Sequence, residues 1–559
     1  MSQSASELDA FFGARAGRLG VVVGGSLSRG IEVKLDPHTD IEELAAGRYV
    51  VVHGRDHDGR HNRFFSMITD IGLGNTNAQI TNTPPDTSNP YLAEVYMGSM
   101  AYGTMHVSPM LMINKESEVG PVRTIPPHFQ PVWTATERDI NDVFGHEDEA
   151  HFHIGNPLEL ENTQINVDLK RLTERSVGIF GKSGTGKSYL CRILLAGVIS
   201  RRSAVNLVFD MHNDYGWEVH NEHGRVDKGL KQLFPDRLSI FTLDPESSRR
   251  RNAPYDVVVT LAYSDIEPED LGALRNTMDI SDAMLDAAYT LKRIWKENWI
   301  QTFLTADVED LEEIVETTSI NASSMSALRR RLERFQRWGF LTPQPQGDSV
   351  KQIIDYLENR TNVVLEFGRY GNSLEAYILV ANYLTRRIRD HYVKKVEESL
   401  GDRAKEPPQL MITIEEAHKF LEPKIAQQTI FGTIARELRK YKVTLLIVDQ
   451  RPSAIDEEVM SQIGTRVTAL LDNDRDITAV LMGVSGAAGL REVLARLDTR
   501  QQAIVLGHAV PMPVVIKTRA YDEAFYMAMG GELQGVHTKR KRKKNSDALY
   551  GDDGFDGLD

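Results

Sequence analysis

One segment of the 559-residue chain carries a spacing with immediate chemical meaning: Gly181-Lys182-Ser183-Gly184-Thr185-Gly186-Lys187-Ser188. The glycines free backbone N–H groups to curl around an anion, and a helix starting there adds the positive end of its dipole. Its flanks suit the role. Val177 to Phe180 is a short apolar run before it, and Leu190, Ile193, Leu194 and Val198 recur after it at helical spacing. The pattern points to a nucleoside triphosphate, ATP, held with Mg²⁺. Lys187 is expected to reach the β- and γ-phosphates and Ser188 to ligate the ion. Gly181, Ser183, Gly184, Thr185, Gly186 and Tyr189 complete the expected nucleotide contacts.

A second run, Leu410-Met411-Ile412-Thr413-Ile414, ends in Glu415 and Glu416. An apolar strand lying beside the phosphate-loop strand would carry the first acid to the Mg²⁺ shell, through water. The second would then accept a proton from the attacking water. A third run, Thr444 to Val448, leads into Asp449, Gln450 and Arg451, and Gln450 suits a sensor of the γ-phosphate. Phosphoryl transfer needs positive charge at the transferred group. Arg436 or Arg439, in a basic stretch between these strands, is a candidate source from a neighbouring subunit, and Arg175 is a further one.

These residues need a scaffold. From 161 onward, apolar runs at 177–180, 207–209, 363–367, 411–414, 445–448 and 503–506 alternate with helical patterns, as expected for a parallel sheet with crossover helices. The expected core is 161–245 with 350–525, interrupted by a helical insertion at 246–349. In that insertion Met325, Leu328, Leu332 and Phe335 share one helix face, with Gly339 as the expected cap. Arg329, Arg330, Arg331, Arg334 and Arg337 lie on the same segment, as a DNA-facing stripe, a solvated face or a subunit contact. Residues 1–135 hold short β-like runs and an Asp58-Gly59 hairpin signal, the pattern of a small barrel, with loops marked by prolines such as Pro84-Pro85. Residues 136–160 are expected to form an acidic linker. Its His146, His151 and His153 have no cysteine beside them to support a metal site. The tail 526–559, with the basic run Lys539 to Lys544, is expected to be disordered.

The net charge is −14, which read by itself disfavours a polyanionic partner, although the distribution of charge matters more than the sum. The lone Cys191 permits no intrachain disulfide and is expected to be a small buried residue in a reducing compartment. There is no signal-peptide pattern and no apolar run long enough to span a membrane, so a cytoplasmic protein is expected.

Four stretches together, RSVGIFGKSGTGKS, VFDMHNDYG, ITIEEAH and IARELRKYKVTLLIVDQRPSAID, resemble the HerA family of hexameric DNA-translocating ATPases, related to FtsK. The resemblance spans most of the chain. It implies a RecA-like P-loop motor with a helical insertion, preceded by an N-terminal β-barrel of the HAS type that docks partners. It also implies a homo-hexamer with double-stranded DNA in its pore. The partner would be a NurA-like nuclease in DNA end processing, or a sirtuin-like NADase or other effector in antiphage defence. Arg439 would be the finger acting in trans, Arg175 a second arginine at the nucleotide interface, and Asp210 a residue near the nucleotide. His212 and Tyr215 match the second stretch; the chain departs from the family at Met211, Asn213, Asp214 and Leu438. An ATP-regulated scaffold that activates an effector without translocation is the alternative.

Overall fold

The computed structural model describes residues 17–54, 62–77, 100–114 and 118–530, apart from 159, 161, 221–223, 225, 319, 345–346, 428, 485–486 and 499–500; between 78 and 99 it describes only 82, 88 and 96. The hairpin signal at Asp58-Gly59, the Pro84-Pro85 loop and the basic run Lys539 to Lys544 lie outside the described residues.

The N-terminal part is a barrel. Its strands are β1 (Arg18–Ser26), β2 (Gly30–Leu35), β3 (Tyr49–His53), β4 (Arg63–Asn75), β5 (Ala101–Ile113), β6 (Val119–Pro121) and β7 (Pro131–Thr134). They are ordered β2-β1-β7-β3-β4-β5-β6, and antiparallel pairing of β2 with β5 closes a ring of six. Alternate residues fill the interior, among them Ile31, Val33, Val50, Val52, Phe64 and Val107. On β3 the other face is buried as well. Tyr49 and Val51 pack into the core of the larger domain, and the Tyr49 hydroxyl accepts a hydrogen bond from the Val515 backbone N–H at 2.8 Å.

The stretch expected as a linker is built from elements instead. Thr136 caps a helix, Glu137–Phe144, through a reciprocal bond with Asp139. The guanidinium of Arg63 in the barrel binds Asp139 and, at 2.8 Å, Asp142. Beyond that helix, β8 (His151–Asn156) joins the larger sheet beside β9 (Ile165–Asp168). His151 pairs with Asp148 at 3.0 Å and His153 Nε2 lies 3.3 Å from Asn156 Oδ1. Among the described residues no cluster of three metal-ligating side chains occurs.

The larger sheet has twelve strands. After β10 (Val177–Phe180) and β11 (Val205–Asp210) come a small ladder of β12 (Val219–His220) with β13 (Val226–Asp227), then β14 (Leu238–Thr242) and β15 (Val257–Val258). A second ladder, β16 (Leu261–Ala262) with β17 (Leu341–Thr342), forms the neck of the insertion. The remaining sheet strands are β18 (Asn362–Glu366), β19 (Leu410–Glu415), β20 (Val443–Asp449), β21 (Thr465–Thr468), β22 (Gln502–Gly507) and β23 (Val514–Thr518). The order is β15-β14-β18-β11-β19-β20-β10-β21-β22-β23-β8-β9. The eight strands from β15 to β21 are parallel, whereas the last four pair antiparallel. The sheet is therefore mixed. The fully parallel expectation fails at one edge, where the 33 residues between Thr468 and Gln502, with the helices Asp474–Val480 and Ala487–Ala495, return β22 antiparallel to β21.

The insertion is helical as expected, and Met325, Leu328, Leu332 and Phe335 are buried on one face. Gly339 is not its cap. The helix Ala322–Leu332 tightens into a 3₁₀ turn, Glu333–Arg337, that ends at Trp338. Cys191 is buried, and among the described residues no helix is long and apolar enough to cross a membrane.

Candidate nucleotide-binding site

The glycine-rich loop links β10 to the helix Lys187–Arg201, as its spacing demands. Gly184 and Gly186 take left-handed backbone angles, φ 79° and 89°, which only glycine adopts at little cost. At Gly181 a side chain would also collide: a Cβ there would lie 2.8 Å from Thr185 Oγ1. The loop is preorganised by its own polar groups. Thr185 Oγ1 and Lys187 Nζ both donate to the Lys182 carbonyl, at 2.8 and 2.9 Å. Lys182 Nζ in turn pairs with Asp472, beyond β21, at 2.8 Å. Burial pushes the Lys187 ammonium below its ordinary range, and the carboxylates of Glu416, Asp449 and Glu415 oppose that shift. Those acids face the lysine across the site. Ser183 and Gly184 are exposed, and Ser188 and Tyr189 are half-buried at the helix start. The Tyr189 hydroxyl donates to Asp227 at 2.5 Å.

The acidic strand is not beside β10. β20 lies between β19 and β10, so Asp449 and Gln450, at the end of β20, stand between the phosphate loop and the two glutamates. Glu416 takes a left-handed backbone, φ 49°, a strained choice for a residue with a Cβ. It is held from two sides. Gln450 donates from Nε2 to its Oε1 at 3.2 Å, and His418 Nδ1 lies 3.7 Å from its Oε2. The imidazole is itself anchored: Asp449, buried at the end of β20, is 2.9 Å from Nδ1 and accepts from the His418 backbone N–H at 2.7 Å.

Glu415 lies deeper. Its Oε1 accepts from the Tyr215 hydroxyl at 2.7 Å, and the Tyr377 hydroxyl binds its backbone at both N and O. Burial, reinforced by Asp210, Asp214 and Glu416, pushes its carboxyl up to about 8. Its buried Oε2 has no partner among the described residues. That unsatisfied buried oxygen fits a role toward Mg²⁺ through an intervening water, and the half-buried Ser188 at the helix start fits a direct one.

Asp210 is not turned to the nucleotide. Fully buried, it accepts backbone N–H bonds from Asp214 at 2.7 Å and Tyr215 at 2.9 Å. It thus shapes the loop that carries Tyr215 to Glu415. Burial, and Glu366 nearby, push it up to about 7. Among the described residues His212, which is exposed, has no hydrogen-bond or ion-pair partner. Arg175 and Arg436 are likewise not brought to the phosphate loop within one chain. They line a separate cavity of about 390 Å³ with Ser176 and Arg466, at the entrance end of β10 rather than the loop end. Arg436 donates to the Ala426 carbonyl at 3.3 Å. Arg439 falls in the 3₁₀ turn Leu438–Tyr441, and its side chain is outside the described residues.

Sequence reasoning passes over Asp449, Tyr377 and Asp472 as functional groups. Asp449 leaves a readable trace, an acid at the end of an apolar run and next to Gln450. Tyr377 and Asp472 leave none, because only the fold brings them within reach.

A phosphate loop on the central strand of an α/β sheet, faced by a strained, hydrogen-bonded glutamate, defines a P-loop ATPase of RecA-like build. Residues 152–388 match the family described as helicase HerA, central domain. That match covers 237 of the 559 residues, and over this segment the chain is similar to the HerA family. A DNA double-strand break repair helicase HerA of Pyrococcus furiosus is 22% identical over 561 residues, covering 94% of this chain and 97% of the relative. A probable helicase of Methanocaldococcus jannaschii is 25% identical over 454 residues, covering 79% of this chain and 80% of its own. Among solved structures, VirB4 of Thermoanaerobacter pseudethanolicus aligns with a TM-score of 0.44 at 12% identity, over 68% of this chain and all of its own.

Proposed function

We propose that the chain is a ring-forming, Mg-ATP-dependent translocase or helicase on double-stranded DNA, working as a homo-hexamer with a partner nuclease or other effector. The observation that carries the reading is Glu416, pinned by Gln450 and His418 in the acid cluster that faces Lys187. An oriented carboxylate there can take the proton of an attacking water. Gln450, bonded to that carboxylate, can exchange this partner for a γ-phosphate oxygen and so report nucleotide state. Lys187 leaves the Lys182 carbonyl to bind the β- and γ-phosphates. Mg²⁺, held by Ser188 and by Glu415 through water, would neutralise the phosphate charge.

Arg175 and Arg436 stand away from their own chain's phosphate loop, which suits use by a neighbouring subunit. The name of one relative, a DNA double-strand break repair helicase aligned over 94% of this chain, supports DNA as the track. The barrel is the candidate docking platform for a nuclease, a sirtuin-like NADase or another effector.

ATP turnover by the full chain with and without duplex DNA tests the reading, alongside native mass measurement. The expected result is a hexamer whose turnover rises with DNA. Equal turnover with and without DNA, with or without its partner, overturns the motor and leaves an ATP-regulated scaffold.

A further inference from the structure

The five arginines of the insertion divide into two groups. Arg329 donates to the carbonyls of Leu304 and Ala306, both at 3.0 Å, closing the end of a neighbouring helix. Arg331 pairs with Asp279 at 3.5 Å. Both therefore serve the fold. Arg330, Arg334 and Arg337 do not: all three are exposed, and none has a hydrogen-bond or ion-pair partner among the described residues.

Their spacing places them along one edge. Arg330 and Arg334 are four apart, one helical turn. Arg334 and Arg337 are three apart within the 3₁₀ turn, where residues at that spacing eclipse. With rises of ~1.5 and ~2.0 Å per residue, the edge is about 12 Å long, the length of roughly three to four phosphates of one DNA strand. One acid, Glu333, lies among them, against five arginines between 329 and 337.

The edge is also rigidly mounted. Phe335 stacks on Trp338 at 5.1 Å, Trp338 on Phe340 at 5.8 Å, and Phe340 meets Tyr370 edge-on at 4.9 Å. The Tyr370 hydroxyl accepts from the Gly339 backbone N–H at 3.0 Å. Tyr370 belongs to the turn Gly368–Asn372 that follows β18, and Gly371 there abuts the Met211 carbonyl of the loop bearing Tyr215. Solvated surface arginines need no such mounting, whereas a phosphate-binding group that must keep its place relative to an ATPase does.

We infer that Arg330, Arg334 and Arg337 form a binding edge for the phosphate backbone of duplex DNA, placed on the insertion and tied through the aromatic stack to the motor. The inference rests on the DNA reading above and names residues that reading leaves open.

The test uses the full chain with a non-hydrolysable ATP analogue and a labelled duplex, titrated across ~50 to ~200 mM salt. Removing one arginine–phosphate ion pair should flatten the plot of log K against log salt by about 0.9. A triple Arg→Ala variant at 330, 334 and 337 is expected to lower the slope by about 2 to 3 and to weaken binding at every salt. The triple Arg→Lys variant should keep the slope, since charge is retained. If the alanine variant melts early, Arg334→Glu supplies the same readout with one change. An unchanged slope in the alanine variant while wild type binds DNA overturns this inference and spares the motor. So does loss of affinity for a polyglutamate peptide with DNA binding intact, which would make the edge a protein-binding surface. Absence of duplex binding by wild type overturns both.

Discussion

Gln450 holds Glu416 by a bond of 3.2 Å from its amide nitrogen to the carboxylate, although 34 residues separate the two. The bond exists because β20 lies between β19 and the phosphate-loop strand. The residue after β20 therefore stands over the residue after β19, next to the expected γ-phosphate. Removing the carboxylate charge while keeping its shape, as Glu416→Gln, should lower ATP turnover by roughly 10²–10⁴ with nucleotide affinity retained. Gln450→Ala removes a bond to a charged group, worth about 1.5–3 kcal/mol, and so should slow turnover by about 10- to 100-fold. Rapid-quench hydrolysis with separate nucleotide titration measures both. Near-normal turnover in Glu416→Gln would remove it as the base.

His418 is fixed by Asp449 more firmly than by Glu416, at 2.9 against 3.7 Å. In the proposed mechanism its part is to orient Glu416. His418→Asn keeps a short polar group that can still bond Asp449, and should retain more turnover than His418→Ala; Asp449→Asn should resemble the alanine variant. The readout is the pH profile of kcat: a displaced base shifts the profile as well as lowering the maximum. Equal turnover and one common profile for all these variants would leave the pair a purely structural role.

The nucleotide-free fold should lose stability as pH rises. Asp210 is pushed up from 3.8 to about 7 and Glu415 from 4.5 to about 8, in both cases chiefly by burial. Between the ordinary and the raised values the folded chain keeps protons that the unfolded chain releases. Raising pH through that window therefore favours unfolding. Melting temperature without nucleotide should fall from pH ~5 to ~8, and Glu415→Gln should flatten part of that fall. Identical pH dependence in wild type and Glu415→Gln would show that Glu415 titrates in the fold as it does unfolded.

The phosphate loop is legible in the sequence because everything it needs is local: glycines at fixed offsets, a strand before and a helix after. The acids at 415 and 416 are legible for the same reason. Their neighbourhood is not, since chain order does not give sheet order, and β20 intervenes where direct adjacency to β10 is the simpler expectation. The segment 136–160 reads as linker because its composition is acidic, yet Thr136 and Asp139 spell a helix start. Its strand, His151–Asn156, lacks clean alternation because four of its six residues are buried, on both faces. Asp210 shows the limit of motif reasoning: its place in the motif marks it, but its carboxylate is taken up by the backbone of its own loop.

Tyr49 carries the join between the barrel and the larger domain. β23 pairs with β22 along Val514 to Lys517, but β8 reaches only Lys517 and Thr518 on its other side. The Val515 N–H would therefore be left buried without a partner, and the Tyr49 hydroxyl supplies one at 2.8 Å from 466 residues away. Tyr49→Phe preserves the ring, its stacking on Phe65 at 5.2 Å and nearly all its volume. Only the acceptor goes, so the variant should be destabilised by about 1–3 kcal/mol, the cost of an orphaned buried N–H. Urea unfolding followed by tryptophan fluorescence measures it. Trp133, which pairs with Val51 of β3, reports on the barrel. A destabilisation confined to the barrel transition would mean that the two parts unfold separately. A common shift would mean that this hydroxyl helps make them one cooperative unit, and a change below about 0.5 kcal/mol would show that water replaces the hydroxyl at Val515.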